Sequence, residues 1–128
     1  MARYNDTYHV ALKGADLLVA DLGNRRIRLM GDTVSTVAGN GTRGAPKDGA
    51  KATEAPLVDP RACAADDKGN LYILERGGNA LRVVDAKGVI RTVVGSGKAG
   101  PVTEGPGTEC TLNSPKFLWV EKDGNVLI

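Results

Sequence analysis

A chain of 128 residues is long enough for one domain that buries its own core without disulfide help. Its formal charge of +2, from 17 basic and 15 acidic side chains, excludes a nucleic-acid argument resting on net charge, since a dedicated binder shows a concentrated basic patch. Two cysteines make no disulfide framework, and neither a signal peptide's apolar stretch nor a run of membrane-spanning length is present, so a soluble chain, cytoplasmic by default, is expected.

Taken in order, Tyr8-His9-Val10-Ala11-Leu12 is the first predicted strand, ended by a Lys13-Gly14 turn. Leu17 to Asp21 is a mostly apolar run of the kind buried on both faces. Leu22-Gly23-Asn24 turns the chain, because glycine and asparagine accept positive φ cheaply. Arg26-Ile27-Arg28-Leu29-Met30 then alternates as a half-exposed strand should. After Gly31-Asp32, Val34 to Ala38 supplies a fourth strand. This first unit covers about 7–38.

Residues 39–59 are rich in Gly, Pro, Lys, Asp and Ala and carry no helical period, which predicts a long surface loop with at most one helical turn near Ala50 to Glu54. The unit then repeats over about 60–94. Arg61 to Ala65, Leu71 to Glu75, Ala80 to Val84 and Val89 to Val94 are its strands, and the turns again hold Gly-Asn and Gly-Gly. A second long loop over 95–114 mirrors the first: Gly39-Asn40-Gly41 matches Gly95-Ser96-Gly97, Asp48-Gly49 matches Glu104-Gly105, and Pro60 matches Pro115. Phe117 to Glu121 and Val126 to Ile128 begin a third unit over 115–128. The step from Asn70 to Asn125 falls near propeller-type repeat periods. Loops drift fastest, so their matching is strong evidence of duplication.

Four short antiparallel strands per repeat, without helices, is the pattern of a β-propeller blade. The run Leu17-Leu18-Val19-Ala20-Asp21-Leu22-Gly23-Asn24-Arg25-Arg26-Ile27-Arg28 resembles the strand–turn–strand signature of the NHL-repeat family. The second copy keeps Glu75, Gly77, Leu81 and Arg82, but has Gly78 for Asn24 and Asn79 for Arg25. The expected fold is therefore all-β: an incomplete propeller of about two and a half blades. The resemblance implies a protein- or RNA-binding module, and some similar propellers are lyases or lactonases with a metal in the channel.

No catalytic, cofactor-binding or metal-ligating residue is expected. Asp21 and Glu75 end apolar strands, where a carboxylate must be paired, and Arg28 and Arg82 lie within hairpin reach; the four read as architecture. His9, the single histidine, cannot recruit a conventional zinc site and reads as channel lining or packing. Arg25, Arg26 and Arg28 would not share one strand face and read as solvated or salt-bridged; a phosphate-binding role is the competing reading. Asp66-Asp67-Lys68-Gly69-Asn70 and Glu121-Lys122-Asp123-Gly124-Asn125 lack a full calcium loop and read as hairpin turns. Gly39 to Gly44 superficially matches a phosphate loop, but no helix follows. Trp119 and Tyr72 read as core, and Cys63 and Cys110 as free, partly buried thiols.

Propellers close with about four to eight blades. The chain is expected to be a fragment, to assemble with copies of itself, or to form an open stack of sheets. Self-assembly as a dimer through exposed strand edges is the working expectation. A non-enzymatic interaction scaffold with no cofactor is the expected function, possible partners being proteins; a channel-sited metal-dependent hydrolase or lyase and an RNA-binding module are the alternatives.

Overall fold

In the computed structural model, which describes residues 3–128, ten strands and one 3-10 turn alternate along the chain. β1 (Thr7–Lys13), β2 (Asp16–Asp21), β3 (Arg26–Met30) and β4 (Val34–Ala38) form an antiparallel meander. β5 (Pro60–Ala65), β6 (Leu71–Glu75), β7 (Ala80–Val84) and β8 (Ile90–Val94) form a second of the same order. β9 (Trp119–Val120) and β10 (Val126–Leu127) pair as a short third sheet. The all-β class and the four-stranded sheets are those the sequence predicts, and no closed barrel forms among the described residues.

The first two sheets share their irregularities as well as their order. The pairing of β1 with β2 slips between Thr7 and His9, and that of β5 with β6 between Pro60 and Ala62. The pairings of β3 with β4 and β7 with β8 slip between Ile27 and Arg28 and between Leu81 and Arg82. Bulges re-aim neighbouring side chains, so two copies that share them aim equivalent residues the same way.

Alternation then builds two cores. Successive residues of a strand face opposite sides, so Ile73 joins one core and Leu74 the other. Leu18, Ala20, Ile27 and Ala38 of the first sheet meet Cys63, Leu71, Ile73, Val84 and Ile90 of the second. The second sheet's far side, with Ala62, Leu74 and Leu81, receives Leu118, Val120 and Val126 of the third. Burying a side chain the size of Leu74 stabilises the fold by about 1.5–3 kcal/mol.

The 39–59 connection departs from the expected surface loop. Ala52, Ala55 and Leu57 are buried in the first core, and Gly39 N–H and Asn40 N–H donate to Ala52 O and Ala55 O at 2.9 and 3.0 Å. Small apolar residues at irregular spacing carry no periodic signal, yet they fill the space between sheets. The single turn expected near Ala50 to Glu54 is present as a tight one, Glu54 N–H and Ala55 N–H donating to Lys51 O and Ala52 O at 3.0 and 3.4 Å, and no longer helix forms there. Just before it, Gly49 N–H and Ala52 N–H donate to Ile90 O and Gly88 O at 2.9 and 2.8 Å, and Lys51 bridges Val89. This stretch runs along the outer edge of β8 and closes it, as exposed strand edges require. The 3-10 turn lies at Gly107–Glu109, in the second connection.

Gly39 and Gly95 follow the fourth strand of each sheet at φ 88° and 94°. A Cβ at either site would meet a backbone carbonyl, Arg25 O at 2.2 Å or Asn79 O at 2.1 Å. Only glycine fits there.

The third unit corrects two expectations. Its predicted strands shrink to two residues each. Trp119, read as core, is 57% exposed. Leu118 and Val120 take the side facing the second sheet, which leaves Trp119 on the other, where no sheet packs among the described residues.

Candidate functional site

Each four-stranded sheet carries the same polar cluster. Asp21 pairs across the sheet with Arg26, and Arg28 stands two residues further along the same face. Arg28 Nε donates to Asp21 Oδ2 at 3.3 Å and Nη1 to Thr36 Oγ1 at 2.7 Å. Asn24 Nδ2 and Asn5 N–H also donate to the Asp21 carboxylate. In the second sheet Arg82 Nε and Nη2 meet Glu75 Oε2 at 2.9 and 2.8 Å, Val58 N–H donates to Oε1 at 2.7 Å, and Arg82 Nη1 donates to Thr92. Lost hydration raises the Glu75 carboxyl above its ordinary value, although Arg82 and the Val58 N–H pull the other way. Both carboxylates are fully buried, and each holds the arginine that the sequence places within hairpin reach.

Sequence reasoning missed the threonines and Asp48. Asp48 Oδ1, from the first connection, accepts both the backbone N–H and the hydroxyl of Thr92, at 2.8 and 2.9 Å. A recurring threonine on the fourth strand was the available signal.

The arginine cluster is dispersed, as expected, though not into salt bridges alone. Arg26 donates to Asn40 O at 2.9 Å and Asn24 O at 3.3 Å, while Arg28 holds Asp21. Gly39 to Gly44 is no phosphate cradle. Its N–H groups at Gly39, Asn40 and Gly44 donate to Ala52, Ala55 and Leu57 carbonyls, and Thr42 N–H donates to Asn40 Oδ1. At the turn of the second sheet Asp66 accepts from Lys68 N–H, Asn70 N–H, Asn70 Nδ2 and the Tyr72 hydroxyl. Partial burial opposes these hydrogen bonds, which prevail and hold its carboxyl below the ordinary value. Tyr72, read as core, is half-buried with its hydroxyl on this turn.

Two clefts lie beside the Asp66 turn and His9. One of about 390 Å³ lies between the Asp66 and Asp123 turns and is lined by Asp66, Lys68, Glu121 and Lys122. The other, about 370 Å³, opens where β1, β5 and the segment leading into β9 converge, lined by His9, Leu12, Ala64, Phe117 and Trp119. His9 is its one titratable lining residue. The His9 Nδ1 accepts Cys63 N–H at 3.4 Å, and the ring meets Phe117 edge-on at 6.4 Å. Burial lowers the His9 pKa, and an unprotonated Nδ1 is what that acceptor role needs. Cys63, beside it, has its thiol pushed up to about 12 by burial. Both cysteines are free. Among the described residues no group of three or more His, Cys, Asp or Glu side chains is placed to hold a metal ion. What the axial cleft offers chemically is apolar and aromatic contact with one neutral imidazole, suited to binding.

Residues 30–106 match the teneurin NHL domain family. Teneurin-3 of Mus musculus is 34% identical to the chain over 63% of its length, and Teneurin-3 of Danio rerio 37% over 62%. The chain spans only about 4% of the length of either relative. Among solved structures, a structural-genomics protein of unknown function from Bacteroides thetaiotaomicron superposes with a TM-score of 0.72 at 25% identity, covering 81% of this chain and 27% of that one. No helix among the described residues is long and apolar enough to cross a membrane.

Proposed function

The chain belongs to the teneurin NHL domain family, and we propose that it works as a non-enzymatic interaction scaffold, a run of propeller blades that presents its turns and loops to protein partners. The observation that carries this reading is the fate of the buried polar groups. Asp21, Glu75 and Arg82 are each held by internal partners, which leaves none of them free as a nucleophile or acid–base pair. The clefts beside the Asp66 turn and beside His9 are a turn-lined acidic groove and an apolar one.

Elemental analysis of the purified protein tests the reading against a channel-sited metal-dependent hydrolase or lyase. The scaffold reading expects zinc and calcium well below one ion per chain. Stoichiometric metal that survives dialysis and supports hydrolysis of a lactone or ester probe, an activity lost on chelation, overturns it, because a structural ion alone performs no chemistry.

A further inference from the structure

The arginines that the blade does not need lie together. Asp21 pairs across its hairpin with Arg26 and Glu75 with Ala80, which sets Arg25 against Asn79 and Arg76 against Leu22. Arg25 and Asn79 share the left-handed backbone of that turn, at φ 52° and 45°. In the connections, the bridge of Arg43 to Leu57 is repeated as that of Ala99 to Leu112. At each of these places the other copy carries an uncharged residue and builds the same turn or bridge. Arg28 and Arg82, by contrast, occur in both copies and are held by buried carboxylates. Architecture accounts for that pair and leaves Arg25, Arg26, Arg43 and Arg76 unexplained.

These arginines form one row, at the end of the sheets where the β2–β3 and β6–β7 turns lie. Arg26 Nη2 donates to Asn40 O at 2.9 Å, and Asn40 Oδ1 accepts Thr42 N–H next to Arg43. Arg43 Nη2 reaches Asp59 Oδ2 at 3.2 Å, and Arg76 N–H donates to Asp59 O at 3.1 Å. Among the described residues Asp59 is the one carboxylate within ion-pair distance of any of them. Arg26 has only backbone carbonyls, and Arg25 Nε is buried with no partner. Asp6 enters at the same end and is offset by Arg3, whose carbonyl accepts Asn24 Nδ2. The turns at the opposite end are acidic: Asp16 and Asp32 stand against Lys13, and Asp66, Asp67 and Asp85 against Lys68 and Lys87. Blades pack face against face, so neighbours in a ring leave either end of the sheets uncovered.

We propose that this row is a docking surface for an acidic polypeptide segment of a protein partner, lying across the boundary between the first two sheets. A guanidinium presents its N–H groups as a planar fork that matches a carboxylate, and a row of such forks suits Asp and Glu side chains spaced along an extended chain. A polynucleotide fits less well. Single strands are held by aromatic side chains combined with a basic groove, and none interleaves here: Tyr4, beside Arg3, lines a hollow with Leu17 and Met30 instead. The opposite charge of the two ends steers an acidic chain to the arginine end and away from the other. This inference deepens the scaffold reading and rests on it.

The test titrates the 128-residue chain into a fluorescent oligoglutamate peptide, read by fluorescence anisotropy at low salt, beside an oligothymidylate of equal charge. Arg25→Asn, Arg43→Ala and Arg76→Leu together install the residues that the other copy carries, so each site has a precedent for folding. That variant is expected to weaken peptide binding about tenfold, as the loss of three exposed charge pairs predicts, with the β-sheet circular dichroism unchanged. Lys68→Ala, Lys87→Ala and Lys122→Ala remove the same charge from the opposite end and are expected to leave binding within about two-fold. Equal losses in the two variants overturn the proposal, since net charge alone would then govern. Tighter binding of the wild-type chain to oligothymidylate overturns it in favour of nucleic acid, and this readout needs no variant. A wild-type chain that ignores the peptide overturns the surface but leaves the scaffold reading standing, because that reading falls only to metal-dependent hydrolysis.

Discussion

Arg82 brings two of its guanidinium nitrogens, Nε and Nη2, to a single oxygen of Glu75, Oε2, and leaves Oε1 to the backbone of Val58. One buried carboxylate thereby ties two strands of a sheet to the segment that enters it. Glu75→Gln keeps the shape but strands a buried guanidinium, and is expected to cost about 3–5 kcal/mol in urea unfolding. Glu75→Met with Arg82→Met removes both charges and is expected to recover most of that loss. A double variant no more stable than the single would show that the charges themselves hold the sheet.

His9 sets a pH dependence. Its folded-state pKa lies below the ordinary 6.5, so the unfolded chain takes up a proton first as pH falls. The stability His9 contributes is complete above the ordinary value and is lost as pH drops through the lower folded one. Stability against thermal unfolding should fall on acidification from pH 6.5, and His9→Gln, which still offers an acceptor to Cys63 N–H, should flatten the slope in that window.

The two thiols are expected to react very differently. Cys63 is buried with its pKa near 12, whereas Cys110 is half-exposed. Because the thiolate is the nucleophile, an aromatic disulfide reagent should titrate one thiol per native chain, and the second only in denaturant. Cys110→Ser should abolish the native reaction.

Gly95→Ala should destabilise the chain by more than about 1 kcal/mol, since the residue is left-handed and its new methyl would strike backbone. Gly88→Ala is the control. That glycine is also left-handed, but nothing lies within 4 Å of the added atom, so its cost should be smaller. Chemical denaturation of the two variants side by side measures the difference.

The strands and the ion pairs were legible because both follow from period-2 spacing. Asp21 to Arg28 and Glu75 to Arg82 are each seven residues apart across a tight turn, which fixes their register. The third member was hidden by turn length: Arg28 reaches Thr36 eight residues on, while Arg82 reaches Thr92 ten residues on. The longer Asp85 to Val89 turn shifts the spacing but not the pairing. Ala52, Ala55 and Leu57 were unreadable for another reason, since they serve a gap between sheets and not a face of one. Trp119 failed because burial of a strand residue depends on a neighbour that its own strand does not encode.

The stretch from Asp48 to Ala52 belongs by its bonds to the sheet that comes after it, since it lines β8 and grips Thr92. The inherited module is therefore staggered relative to the visible blade, beginning near Gly39 and ending near Val94. Recombination, permutation or grafting of these units would keep each sheet's clasp if the chain is joined at Gly39 or Gly95. A join at Pro60 would part the second sheet from the strap that finishes it.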